Sequence, residues 1–172
     1  MSGDESSLRE RLKRGDPMAA REFFELYAAR LHRFILHALG PNGDADAEDL
    51  LQETFMALAE ALPFFRGDSS LFTFACAIAH RKTASFIRTR ARRSELLRDH
   101  TLEAVRSILD PPSDPDLKNA LAALSAEHRE VLTLKYVEDL PVGEIAAVLL
   151  LSEHAVESRL ARARKALMKA LG

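Results

Sequence analysis

A single cysteine, Cys76, stands among 172 residues, which excludes an internal disulfide framework and suits a reducing compartment. No apolar run approaches the ~20 residues that a membrane-spanning helix needs. The opening segment, Met1 to Asp16, lacks the apolar centre of a signal peptide. These absences predict a soluble cytoplasmic protein with no membrane partner. No alternating valine/isoleucine run demands a strand, and Gly and Pro number only 7 each, while helical spacing of apolar residues recurs throughout. The expected fold class is all-α. The 6 histidines show no metal-ligand spacing, and no paired-carboxylate, nucleophile or phosphate-loop pattern is present. Neither an enzyme nor a metal or other cofactor is expected. The acids Asp44, Asp46, Glu48 and Asp49 lack the spacing and late glutamate of an EF-hand.

The net charge of -2 argues, taken alone, against a nucleic-acid partner. Its distribution argues the other way. Between Gly43 and Phe65 there are six acids and no Lys or Arg. From Ser69 to Ser94 there is no acid, but Arg81, Lys82, Arg88, Arg90, Arg92 and Arg93 occur, and after Glu157 every charge is basic. Such segregation implies two partner surfaces, one basic and one phosphate-rich.

Along the chain, Asp16 and Pro17 have the chemistry to cap and open a long helix. Phe23, Tyr27, Leu31, Phe34 and Ala38 run down one face of it, and Gly40 to Gly43 stop it. A second helix is expected from Ala47 to Leu62. Leu51, Phe55, Leu58 and Leu62 form its inward stripe, and Asp49, Gln52, Glu53, Met56 and Glu60 gather on another face. The loop Pro63 to Ser70 carries adjacent aromatics, Phe64 and Phe65, of which one belongs in a core and the other can stack on a base. A third helix spans Leu71 to about Arg93, with Leu71, Phe74, Ala75 and Ile78 inward and a basic C-terminal half that can follow phosphates. Residues 94–116 read as a linker: Leu102 to Leu109 can form a turn or two of helix, whereas Asp110 to Asp116 is too proline-rich to do so. Helical pattern resumes near Leu117, and Ser125 should cap a helix from Ala126 to Val137.

The segment Leu121 to Leu171 reads as a helix-turn-helix, a common device for placing side chains in a DNA groove. Pro141 suits the first position of a helix carrying Ile145, Val148 and Leu149, and Ser152 has the chemistry of the next helix's N-cap. Beyond it Val156, Leu160, Ala163 and Leu167 make one apolar stripe. The opposite face carries His154, Ser158, Ala161, Arg162 and Lys165, donors without a carboxylate.

In this order the stretches resemble a bacterial RNA polymerase sigma factor of the extracytoplasmic-function (ECF) subgroup of the sigma-70 family. The matching text is Asp46 to Phe55, then Phe65 to Ser69; later Leu124-Ser125, Arg129 to Leu132, Tyr136-Val137, Glu144 to Ala146, Ser158 to Leu160 and Arg162 to Arg164. The resemblance implies two small helical domains: region 2 over residues 1–93, of three to four helices, and a helix-turn-helix region 4 over 117–172, joined by residues 94–116. It implies that Asp49, Leu50, Gln52, Glu53 and Met56 dock on the β′ clamp helices of core RNA polymerase. It implies that Phe64, Phe65, Arg66, Gly67, Asp68, Ser69, Ser70 and Phe72, with His80, Arg81, Arg88 and Arg90, open the promoter -10 element and hold its strand. Unstacking a base costs a few kcal/mol, so a pocket and a basic track are physically required. Ser152, His154, Ala155, Glu157, Ser158, Arg159, Arg162 and Lys165 would face the -35 element, with region 4 also touching the β flap. The acidic, proline-rich linker would run toward the RNA exit path, and an anti-sigma factor is a further implied partner.

The sequence departs from the family at several places. Phe74 stands for the usual Trp, Cys76 for a frequent Tyr, and Arg81 for a frequent Asn. Leu150 occupies the glycine place of the helix-turn-helix, where a left-handed residue costs about 1–2 kcal/mol, so a turn of different shape is expected. Glu157 replaces a common base in the recognition helix; a carboxylate accepts from a cytosine amino group and repels phosphate, so an altered or weaker -35 preference is expected. A free-standing helix-turn-helix regulator is the alternative reading, though it would not need the acidic face or the loop at Phe65 to Ser69. A sigma-like adaptor without promoter recognition is another, on Leu150 and Glu157.

Overall fold

The computed structural model describes residues 2–40, 43–96 and 115–172. An unanticipated helix, α1 (Ser2–Lys13), comes first. It is polar nearly throughout and docks through two leucines four apart, Leu8 and Leu12, both buried. Too few apolar positions mark it to show as a periodic stripe. Asp16 then caps α2 (Pro17–Leu39), accepting from the Met18 N–H at 2.9 Å with Pro17 in the first turn. The Arg11 guanidinium, 2.9 Å from the Asp16 carboxylate, holds that acid below its ordinary range. Gly40 ends α2 at φ 82°, a conformation that excludes most side chains.

Helix α3 runs Asp44–Ala61, beginning three residues before Ala47, and tightens into a 3-10 turn at Leu62–Phe64. Helix α4, Leu71–Leu96, opens where Ser70 accepts from the Thr73 N–H at 3.0 Å. The linker expected at 94–116 is shorter at both ends: α4 continues to Leu96, and Pro115 begins helix α5 (Pro115–Ala123). Proline in a first turn loses no hydrogen bond, so a proline-rich approach does not forbid a helix beginning there. The expected turn of helix at Leu102 to Leu109 lies outside the described residues.

Ser125 caps α6 (Ala126–Leu132), accepting from the His128 N–H at 3.3 Å. The expected run to Val137 continues as a wider, π-helical turn over Thr133–Val137. Pro141 sits one place outside α7 (Val142–Leu149), as its cap and not its first residue. Leu150 does adopt the left-handed conformation, φ 54° and ψ 44°, so the turn keeps the shape that glycine would give it. The leucine is 73% exposed and has little packing to lose. Leu150→Gly is expected to stabilise the fold by up to about 1 kcal/mol, because relief of ~1–2 kcal/mol exceeds the extra unfolded-chain entropy of ~0.4–1 kcal/mol. Urea unfolding with an unchanged slope would measure it, and a lower midpoint would refute it. Ser152 caps α8 (Glu153–Leu171), accepting from the Ala155 N–H at 3.2 Å.

The fold is all-α, with no strand among the described residues. Helices α2, α3 and α4 pack on one another, and α8 packs on α5, α6 and α7. These two bundles also meet: α7 lies along α4, and α6 against α2. One apolar cluster therefore runs from Phe23, Phe34 and Leu58 through Leu71 and Ile78 to Ile145, Val148 and Leu160.

Candidate polymerase and DNA surfaces

Burial of the α3 stripe turns its acids outward: Asp49, Gln52, Glu53, Met56 and Glu60 are all exposed. Leu50 is not; it is buried in the core and cannot present a side chain to a partner in this state. The correction follows from helical period, since one position past Asp49 turns ~100° inward. Glu53 pairs with Lys82 of α4 at 3.1 Å, and Asp46 with Arg90 at 3.0 Å, so α4 partly neutralises the acidic face. Half-exposed Phe24 of α2 leans on Phe55 with ring centroids 5.0 Å apart and adds apolar surface beside Met56. Its position flanking Phe23 gave no signal of this, because which of two adjacent rings faces out depends on the neighbouring helix.

In the loop before α4 the two aromatics divide as expected. Phe65 is buried and stacks on Phe74, centroids 4.3 Å apart, whereas Phe64 is 83% exposed. Phe72 is also buried, stacked on Tyr27 and beneath the Arg30 guanidinium, which lies 3.6 Å from its ring centroid. Of the three phenylalanines expected to meet bases, only Phe64 presents its ring to solvent; the others form the floor beneath the loop. Arg66 and Asp68 are exposed, and Gly67 is left-handed at φ 86° with the Arg9 guanidinium against it. Helix α1 thus walls the loop: Glu5 accepts from the Leu71 N–H at 2.5 Å, and Glu5, Ser6 and Arg9 line a cleft of about 290 Å³ with Gly67, Ser69 and Ser70.

Along α4, Arg81 and Arg88 are exposed, and Arg90 is exposed but tied to Asp46. His80 is turned the other way. Its Nδ1 lies 2.5 Å from Glu130 of α6, so in this state it faces the second bundle and no strand can reach it. Glu144 of α7 accepts from Thr73 and, at 3.4 Å, from Ser70. Part of the surface expected to follow the -10 strand is therefore covered.

On α8, His154, Glu157, Arg162 and Lys165 are exposed, with Ser158 and Ala155 half-buried beside them. Ser152 uses its hydroxyl as the cap, and Arg159 lies 3.5 Å from Glu127, only one-fifth exposed. The recognition face is open in the same state that covers α4. Among the described residues no His/Cys/Asp/Glu cluster is placed to hold a metal ion, and no helix is long and apolar enough to cross a membrane.

Contacts between the bundles are polar as well as apolar, and sequence reading missed them. Glu138, in the turn before α7, has a side chain 0% exposed. Arg30 donates to one of its oxygens at 2.8 Å, and Arg33 to the other at 3.0 Å. His37 on the same face of α2 has its Nδ1 2.9 Å from Thr133 Oγ1. Burial, with Arg33 and Arg129 nearby, lowers its pKa and favours the neutral ring. Arg129 donates to the His37 carbonyl at 3.0 Å, joining α6 to the last turn of α2.

A helical bundle with an outward acidic face, tied to a capped helix-turn-helix with an outward basic face, defines a DNA-binding protein that also has a protein partner. Residues 23–93 match Sigma-70 region 2, and residues 116–167 match Sigma-70, region 4. The RNA polymerase sigma-H factor of Pseudomonas aeruginosa is 30% identical, across 97% of this chain and 93% of its own. The ECF sigma factor SigF of Caulobacter vibrioides is 31% identical, across 89% and 86%. Among solved structures, the sigma factor RpoE of Bartonella quintana, bound to the anti-sigma factor NepR, aligns with TM-score 0.75, 26% identity and coverage of 88% and 95%. CnrH, in complex with the cytosolic domain of CnrY, aligns with TM-score 0.72, 27% identity and coverage of 97% and 96%. The chain belongs to the sigma-70 family, in its ECF group. It directs promoter-specific transcription initiation with RNA polymerase.

Proposed function

We propose that this sigma factor divides its work between the two bundles, residues 1–93 acting as region 2 and 117–172 as region 4, with 94–116 between them. Asp49, Gln52, Glu53 and Met56, with Phe24 beside them, are the docking face for the polymerase β′ clamp helices. Phe64, Arg66 and Asp68, followed by Arg81 and Arg88 on α4, meet the melted -10 strand. His154, Glu157, Arg162 and Lys165 on α8 face the -35 element. Glu157 among those bases supports a shifted -35 preference. The chain works in the cytoplasm as a non-catalytic specificity subunit, and an anti-sigma protein is a partner, as for RpoE and CnrH.

The observation that carries this reading is the α3 face: several outward polar and acidic groups beside an exposed methionine and a half-exposed phenylalanine. A free-standing DNA regulator has no use for it. Asp49→Arg/Glu53→Arg is expected to weaken binding to bacterial core RNA polymerase at least about a hundredfold, since each reversal places like charges together at a cost of roughly 1–3 kcal/mol. Saturable binding by the parent chain, lost in the double variant, supports the reading. Unchanged binding by a folded variant refutes the assigned face.

A further inference from the structure

Every carboxylate that crosses from the second bundle lands on a group of the first that could otherwise meet a phosphate. Glu130 takes His80, Glu144 takes Thr73 and Ser70, and Glu138 takes Arg30 and Arg33. The last of these is built like an oxyanion site. Two guanidinium groups grip the two oxygens of one carboxylate, Arg30 at 2.8 Å on one and Arg33 at 3.0 and 3.3 Å on the other. A phosphodiester offers the same pair of charged oxygens, and the guanidinium fork suits both anions.

The two sides of this contact differ in what holds them. Glu138 is fully buried, while the Arg30 and Arg33 side chains remain 37% and 44% exposed. Arg30 also lies over the Phe72 ring, a member of its own bundle, so part of its orientation survives without Glu138. Arg33 follows one turn later on α2. The arginine pair therefore persists when the second bundle leaves, whereas the carboxylate has no other partner.

We propose that Arg30 and Arg33 form a binding site for a phosphodiester of the opened promoter strand, and that Glu138 occupies this site when the two bundles are closed. Closure and strand binding then compete for the same two cations. The structure is the latent form, with the α8 face ready and the strand site filled from within. The proposal rests on the sigma-factor reading, but its test needs no polymerase, so failure of one is distinguishable from failure of the other.

The test uses the full chain and a fluorescent single-stranded DNA of ~20 nucleotides, with affinity from anisotropy and opening from small-angle X-ray scattering. Glu138→Gln keeps the shape and removes the charge; it is expected to raise the radius of gyration and tighten binding about tenfold. Arg30→Gln/Arg33→Gln is expected to open the chain as well but to bind no tighter than the parent. Its slope of log affinity against log salt should be shallower by about 1.4, at ~0.7 per phosphate contact for a single strand. Equal tightening in the arginine variant, or none in Glu138→Gln, overturns the proposal. If Glu138→Gln fails to fold by circular dichroism, the unaltered chain decides: saturation with the oligonucleotide must expand it, and a chain that stays compact when saturated refutes the competition.

Discussion

The Cys76 thiol is expected to react with a disulfide reagent at least about a thousandfold more slowly in the native chain than in urea. It is fully buried on α4, and burial pushes its pKa well above the ordinary thiol range, so little of the reactive thiolate is present. The charges that act on it include Glu138, Glu144 and Glu130, all from the second bundle. Labelling therefore requires an opening motion, and a thousandfold suppression corresponds to an opening free energy of about 4 kcal/mol. The check is the native labelling rate at constant pH against the unfolded rate. Ratios within tenfold would mean that α4 is not covered as described. The same rate should rise wherever the bundles separate, which gives an independent readout of closure.

Phe34→Ala is expected to lower the unfolding free energy by about 3–5 kcal/mol, the range for emptying a fully buried phenylalanine site. Phe34 is 0% exposed at the centre of α2, the one helix that packs against α3 and α4 on one side and α6 on the other. A cavity there is lined from several directions, so collapse can fill little of it. Urea unfolding measures the loss, and a change below about 1 kcal/mol would show that the site relaxes freely. For a chain of this size, 3–5 kcal/mol is a large part of the usual 5–15 kcal/mol of stability. Expression of the variant should fall accordingly.

Legibility in the sequence followed the range of the interaction. Caps at Asp16, Ser125 and Ser152 were readable because the accepting oxygen and the donating N–H are two or three residues apart. The α3 and α8 stripes were readable because a helix converts spacing directly into faces. Helix α1 was not, since it owes its existence to docking through Leu8 and Leu12 more than to its own pattern. Leu150 was read as an obstacle to the usual turn; the surrounding helices impose the turn regardless, at a local cost. The division between Phe64 and Phe65 was foreseeable in kind, but which ring is which depends on Phe74.

The sequence by itself determined that the chain is helical, where most helices begin, which faces are acidic or basic, and to which family it belongs, because each rests on neighbours within a turn or two. The tertiary structure alone decided that the two bundles close on each other. Glu138 meets Arg30 and Arg33 across 108 and 105 positions, and no periodicity links residues so far apart. A buried carboxylate is costly without a partner, and only the assembled fold shows that its partners come from the helix at the other end of the chain.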